Sequence, residues 1–179
     1  MIRASVSIIA VGLVCELALA KLPRQTALED IIRLLKTREE ITFEEASKTA
    51  GKDAISALVM IATDASFDRV LRARACLSLG NFQSKVVKKV LTSIFGNESE
   101  PLEVRKAALI GYARHARNKA IPDLKVFLLD ARPEMRIAAA KGLKEVGGEE
   151  ARQILIYALG NEEVLEVKLA IDRALKDMR

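Results

Sequence analysis

A repeat of about 33 residues constrains the fold of this 179-residue chain more than any other feature of its sequence. Four types of position recur in one register, and neighbouring members of each set lie 31 to 33 residues apart. The sets are small or apolar residues (Ala54, Val87, Ala120, Ala151), leucines (Leu58, Leu91, Leu124, Leu155), polar residues at segment ends (Asp64, Asn97, Asp130, Asn161) and basic residues (Arg72, Arg105, Arg136, Lys168). A fixed period of this length is typical of proteins built from stacked supersecondary units.

Each period contains two segments with helical periodicity, which we call the A helix and the B helix. Apolar residues recur at steps of three and four, as one buried helix face requires. The A segments are VLRARACLSLG, EVRKAALIGYA, EMRIAAAKGLK and EVKLAIDRALK, and the B segments that follow the first three are SKVVKKVLTSIF, KAIPDLKVFLLD and EEARQILIYAL. One such pair cannot bury its apolar face alone, so the pairs are predicted to stack into an all-α solenoid with a continuous core.

Over about residues 50 to 176 the chain resembles the HEAT repeat family, especially the short bacterial HEAT-like repeats of phycobilisome lyases. The resemblance is carried by Leu71-Arg72 with Ala75, Val104-Arg105 with Ala108, Met135-Arg136 with Ala139 and Gly142, and Ala120-Ile121-Pro122 with Leu124 and Asp130. It implies a right-handed α-solenoid whose B helices line the concave surface. It also implies that each basic residue of the repeat bonds the polar residue that closes the preceding repeat.

The domain organisation predicted from these patterns is a signal peptide followed by one solenoid domain. Residues 1–20 form the signal peptide and residues 21–179 the domain, with about nine helices. Within the domain, residues 21–50 are predicted to form N-terminal cap helices, 51–161 the repeats and 162–179 a C-terminal half repeat without a B helix.

The first twenty residues have the layout of a secretory signal. One early cation, Arg3, precedes an apolar run from Val6 to Cys15, and small residues follow at Ala18 and Ala20. Cleavage after Ala20 would place the protein in the periplasm or outside the cell, with no membrane span in the mature chain. The alternatives are an uncleaved anchor and a structural first helix. After cleavage Cys76 would be the sole remaining cysteine, and its position predicts a buried core residue.

No group of residues in the sequence resembles a catalytic or cofactor site. His115 is the only histidine, and the chain has neither a glycine-rich phosphate loop nor a nucleophile elbow. We therefore expect a protein that is not an enzyme and that holds no metal or cofactor.

Charge is concentrated in the middle repeats. Residues 66–129 carry a net charge of +7, whereas residues 21–65 and 130–179 each carry −1. On the B helices the cations are predicted to form a basic groove of Lys85, Lys88, Lys89, Lys125 and Arg152. A second, weaker cluster at the A–B turn comprises Arg114, His115, Arg117 and Lys119. The alternative is an ordinary solvated surface.

A rigid curved surface with a basic groove favours an acidic partner, which charge attracts and steers. The leading hypothesis is an exported scaffold or adaptor that binds another protein in a bacterial envelope assembly. Two alternatives stay open. One is binding of nucleic acid or another polyanion through the same basic surface, and the other is a phycobilin-lyase-like enzyme or enzyme partner. The sequence carries no signal for the oligomeric state.

Overall fold

A computed structural model describes residues 22–178 of the chain, and these residues contain ten α-helices and no β-strand. The predicted all-α solenoid is confirmed, with one helix more than the approximate number expected. The proposed signal peptide lies outside the described residues. The helices are α1 (Gln25–Thr37), α2 (Phe43–Ala50), α3 (Ala54–Thr63), α4 (Arg69–Leu79), α5 (Lys85–Gly96), α6 (Leu102–Ala116), α7 (Ile121–Phe127), α8 (Pro133–Val146), α9 (Gly148–Asn161) and α10 (Leu165–Asp177).

The helices alternate between two layers. The A helices α4, α6, α8 and α10 pack against one another in succession. The B helices are α3, α5, α7 and α9, and each packs mainly against the A helix that follows it. At the N-terminus α1 packs against α2, α3 and α4, so it covers the first end of the stack.

Local signals in the sequence explain where several helices begin. The Thr42 hydroxyl accepts from the backbone N–H of Glu45, and the Glu45 carboxylate accepts from the backbone N–H of Thr42, which is a complete capping box. Asp68 and Ser84 accept backbone N–H groups in the first turns of α4 and α5. These side chains satisfy amide groups that a helix start leaves without an intrahelical partner.

The two apolar ladders form the core of the solenoid. All eight side chains of the Ala/Val and Leu ladders are buried, as the 33-residue register predicts. Between the A helices, glycines allow a very close approach of α4 and α6. A Cβ atom placed on Gly111 would lie 2.3 Å from the carbonyl oxygen of Cys76, so only glycine fits at this crossing.

Helix α7 is shorter than its B segment predicts. The apolar pattern extends to Asp130, but the helix ends at Phe127. The amide of Asp130 then bonds the carbonyl of Phe127, and the Asp130 carboxylate accepts the amide of Arg132 at 2.9 Å. This Asx turn competes with the helix and leaves Leu129 outside it.

The predicted partners of the basic ladder are wrong for Arg72 and Arg105, whereas Arg136 bonds its predicted partner Asp130 through the backbone carbonyl. The Nε–H groups of Arg72 and Arg105 donate to backbone carbonyls at the end of the preceding B helix, Ala62 at 3.1 Å and Phe95 at 3.0 Å. Arg136 reaches the carbonyl of Asp130 at 2.9 Å. The polar side chains named by the prediction are otherwise engaged, because Asp64, Asn97 and Asp130 each accept the amide two residues ahead and Asn161 bonds the carbonyl of Tyr157.

Candidate functional site

The turn between α6 and α7 has an unusual backbone. Helix α6 ends at Ala116, and Arg117 adopts φ 51° and ψ −131°. Within the described residues Arg117 is the one residue other than glycine with a positive φ. Two other turns between helices have a positive φ directly after the first helix, and both carry glycine there. They are the turns after α2, with Gly51 at φ 55°, and after α8, with Gly147 at φ 71°. A side chain in this region of backbone space is strained by about 1–3 kcal/mol.

This turn forms one wall of a concave surface that we call the basic notch. Its volume is about 580 Å³. Its lining carries four basic or titratable groups and no carboxylate. The lining residues are Gln83, Lys88, His115, Ala116, Arg117, Asn118, Lys119 and Val146.

The notch joins residues that the sequence analysis placed in two separate clusters. Lys88 belongs to the predicted groove, and His115, Arg117 and Lys119 belong to the predicted rim. They meet because the end of α6 lies beside the connection between α4 and α5. The Nδ1 atom of His115 lies 2.7 Å from the carbonyl oxygen of Phe82, and Gln83 donates to the His115 carbonyl at 3.4 Å.

The contact with Phe82 orients the His115 ring. A carbonyl oxygen only accepts, so Nδ1 carries the proton that it donates to Phe82. The second ring nitrogen is then the one left for other partners. Lys88, Arg117 and Lys119 are exposed. Three exposed cations therefore surround a space that suits carboxylate groups, and the fixed imidazole lies beside them.

The other predicted site residues lie elsewhere. Arg114 is held in ion pairs with Glu40 and with Glu145, the latter at 2.8 Å, so it ties α6 to α8 and to the segment before α2. Arg152 donates to the carbonyl of Leu175 at 3.4 Å, near the end of α10. Lys85 and Lys89 are exposed on α5 but do not line the notch.

Lys125 lines a second concavity, which the sequence analysis missed. We call it the apolar cleft, and it lies between α7, α9 and α10 with a volume of about 560 Å³. Leu129 and Tyr157 on its walls are 86% and 75% exposed. The sequence feature that indicates the apolar cleft is the run Val126–Leu129. Four consecutive apolar residues cannot all lie on one face of a helix, so some of them must be exposed.

Cys76 lines neither the basic notch nor the apolar cleft. Burial raises the pKa of the Cys76 thiol to about 12, and this side chain has no exposed surface. The described residues hold no group of three or more His, Cys, Asp or Glu side chains placed to bind a metal ion. Nor is any helix in residues 22–178 long and apolar enough to cross a membrane.

Comparison with known protein families finds a similarity in the second half of the chain. Residues 97–176 match the family described as HEAT repeats, and this segment spans α6 to α10. The match includes the turn residues of the basic notch and supports the resemblance seen in the sequence. HEAT repeats are generally scaffolds for protein–protein interaction. No curated protein matches the chain.

Proposed function

We propose that this protein is a non-enzymatic interaction module that binds an acidic surface of another protein in the basic notch. The HEAT repeat match supports a protein partner. The lining of the notch, with Lys88, His115, Arg117 and Lys119 and no carboxylate, supports an acidic one. The cations of the notch all lie within residues 66–129, the segment that carries the positive net charge.

The observation that carries this proposal is the arginine at position 117. Its backbone has the conformation of Gly51, where glycine costs the fold nothing. Backbone strain of this kind clusters at binding and catalytic sites. The strain also fixes the direction in which the turn presents the neighbouring Asn118 and Lys119.

The binding mechanism would combine a rigid surface with charge steering. Consecutive A helices hold the turn in place, so docking requires little rearrangement of the backbone. The exposed cations accelerate encounter with an acidic partner, and a few close contacts provide most of the affinity. Binding should therefore weaken as the salt concentration rises.

Charge reversal at the notch tests this proposal. The tagged full-length protein is crosslinked in cells, and its captured proteins are quantified by mass spectrometry. We expect Lys88→Glu to reduce capture of the partner by about tenfold. Lys52→Glu is the matched control, since it makes the same charge change on an exposed residue outside the notch. Equal capture by the two variants would reject the notch as the binding site.

A polyanion such as nucleic acid is the second candidate, because the cations of the notch do not distinguish one polyanion from another. Tyr112 is buried and Tyr157 lies at the apolar cleft, so neither tyrosine lines the notch to stack on a base. Retention on duplex DNA at near-physiological salt, with a steep loss as salt rises, would favour this candidate. Absence of retention at low salt would exclude it.

We further propose that the chain is exported as a single solenoid domain and acts in a bacterial envelope assembly. The pattern of residues 1–20 supports export. The mass of the mature N-terminal peptide tests it, with Lys21 as the expected first residue. A mature protein that begins at Met1 would overturn the cleavage and the location that follows from it.

A further inference from the structure

The junctions between successive repeats are closed by an arginine on an A helix and a glutamate from the connection that precedes the next A helix. Arg72 donates to the Glu100 carboxylate at 2.6 Å. Arg136 donates to both oxygens of Glu162, at 2.8 and 2.9 Å. In each junction a buried or nearly buried guanidinium is therefore neutralised by a carboxylate of the chain itself.

The junction at Arg105 lacks this glutamate. Arg105 is 3% exposed, and its Nη1 atom is fully buried without a hydrogen-bond partner among the described residues. The connection before α8 offers Asp130 and no glutamate. Arg132 turns back onto Asp130, whose two oxygens it binds at 3.0 Å each. The carboxylate nearest in the chain is thus already occupied.

A buried guanidinium N–H without an acceptor is unfavourable, because it has lost its hydrogen bonds to water and gained none in the protein. Burial, and next the nearby Arg132 cation, lower the pKa of Arg105, and the Asp130 and Glu98 carboxylates oppose this shift only in part. The buried Arg105 and the nearby Arg132 therefore make this junction a place where an added negative charge stabilises the molecule. Glu100 and Glu162 show that the repeat geometry accommodates a glutamate carboxylate against the arginine.

We propose that Arg105 and Arg132 form a carboxylate slot that receives a glutamate or aspartate side chain from an acidic segment of a partner protein. Arg132 is the outer residue, with 37% of its side chain exposed, and it would turn from Asp130 to share the incoming carboxylate. Leu129, which precedes Asp130 in the chain, is exposed and offers an apolar contact beside the slot.

The slot is separate from the basic notch. Arg105 lies in the first turn of α6 and His115 in its last, about 15 Å apart along the helix axis at 1.5 Å per residue. The proposal of the slot depends on the unpartnered Nη1 atom of Arg105 and not on any residue of the notch. Its failure and the failure of the notch can therefore be distinguished.

The decisive variant is Arg132→Glu, which supplies the missing carboxylate from within the chain. We expect it to melt at a higher temperature than Arg132→Gln, which removes the same cation without adding a carboxylate. The second readout is the Arg105 Nε–Hε signal in NMR spectra of arginine-labelled protein. Sodium acetate and a hexaglutamate peptide should shift this signal in the wild type and in Arg132→Gln, but not in Arg132→Glu.

The peptide should act at a concentration at least about tenfold lower than acetate, because neighbouring contacts add to the affinity. An unmoved Arg105 signal, or an equal response to chloride and acetate, would overturn the proposal. A response to acetate but not to the peptide would exclude an acidic protein segment. The titration is repeated in Lys88→Glu, where the response of Arg105 should persist even though the notch is disabled.

Discussion

The layer of A helices and the layer of B helices differ in how tightly they pack. Successive A helices pack along the whole stack, and Gly80 and Gly111 let α4 and α6 approach backbone to backbone. In the described part of the chain, neither α5 with α7 nor α7 with α9 is among the main packed pairs. The looser B layer contains the apolar cleft and contributes Lys88 to the basic notch.

This difference assigns separate roles to the two layers. The A helices fix the relative positions of the repeats, so changes there should act on folding. The B helices and the A–B turns are where the surface varies from repeat to repeat, so changes there should act on binding. Substitutions that separate stability from binding test this division.

The largest effect on stability is expected from Gly111→Ala. The added methyl group would meet the Cys76 carbonyl oxygen at 2.3 Å, and backbone cannot move aside cheaply. We expect a loss of about 3 kcal/mol in the free energy of unfolding. Gly160→Ala in α9 is the control, since its Cβ has nothing within 4 Å, and helix propensity should make it neutral or stabilising by up to about 1 kcal/mol. Urea unfolding that gave equal losses for both would contradict the close crossing of α4 and α6.

The second largest effect on stability is expected from the ion pair of Arg136 with Glu162, which stabilises the fold only above acidic pH. The hydrogen bonds from Arg136 hold the pKa of Glu162 below its usual range. The ionised carboxylate therefore stabilises the fold at neutral pH, and this contribution is lost as the pH falls through the lowered pKa. We expect Glu162→Gln to lose about 2 kcal/mol at pH 7.

The pH dependence distinguishes this ion pair from a packing effect. Unfolding curves of the wild type and Glu162→Gln should converge below about pH 4. A constant difference between pH 7 and pH 3 would show that the carboxylate charge is not what stabilises the junction.

Replacing Arg117 with glycine should stabilise the protein. Glycine relieves the backbone strain, and after its own entropic disadvantage the net gain is about 1 kcal/mol. The reverse exchange, Gly147→Arg, places a side chain at the corresponding turn after α8 and should destabilise by a similar amount. Thermal unfolding of the two variants provides the comparison. A loss of stability in Arg117→Gly would mean that the side chain supports the fold.

The smallest expected effect is on chemical labelling of Cys76 in the A layer, which requires no substitution. The thiol is fully buried between α4 and its neighbours, and its pKa of about 12 leaves very little thiolate at pH 8. We expect no reaction with iodoacetamide in the native protein and full reaction in urea. Rapid native labelling would show that the A layer opens readily.

The sequence predicted the repeat and its core well because the ladder positions depend on a period that every repeat shares. Leu58 and Leu155 lie nearly 100 residues apart and are both fully buried. Two helices, α1 and α2, lie within residues 21–50, where the sequence predicts cap helices. The end of α7 was less predictable, because the Asx turn at Asp130 competes locally with the helix.

The candidate site was only partly predictable. The cations were identified, but whether Lys88 meets Arg117 depends on how the end of α6 lies against the α4–α5 connection. Neither periodicity nor charge describes that contact. The ion pairs of Arg114 were not predictable for the same reason. Its partners Glu40 and Glu145 are distant in sequence and become its neighbours only when the helices stack. The signal peptide stays a prediction from its own pattern.

The most direct test of the account combines stability and binding in one variant. Arg117→Gly is measured for its melting temperature and for crosslinked capture of the partner, side by side with the wild type. The account predicts a higher melting temperature together with weaker capture, because the arginine is kept for binding at the expense of the fold. A higher melting temperature with undiminished capture would contradict the central claim that this turn forms the binding surface.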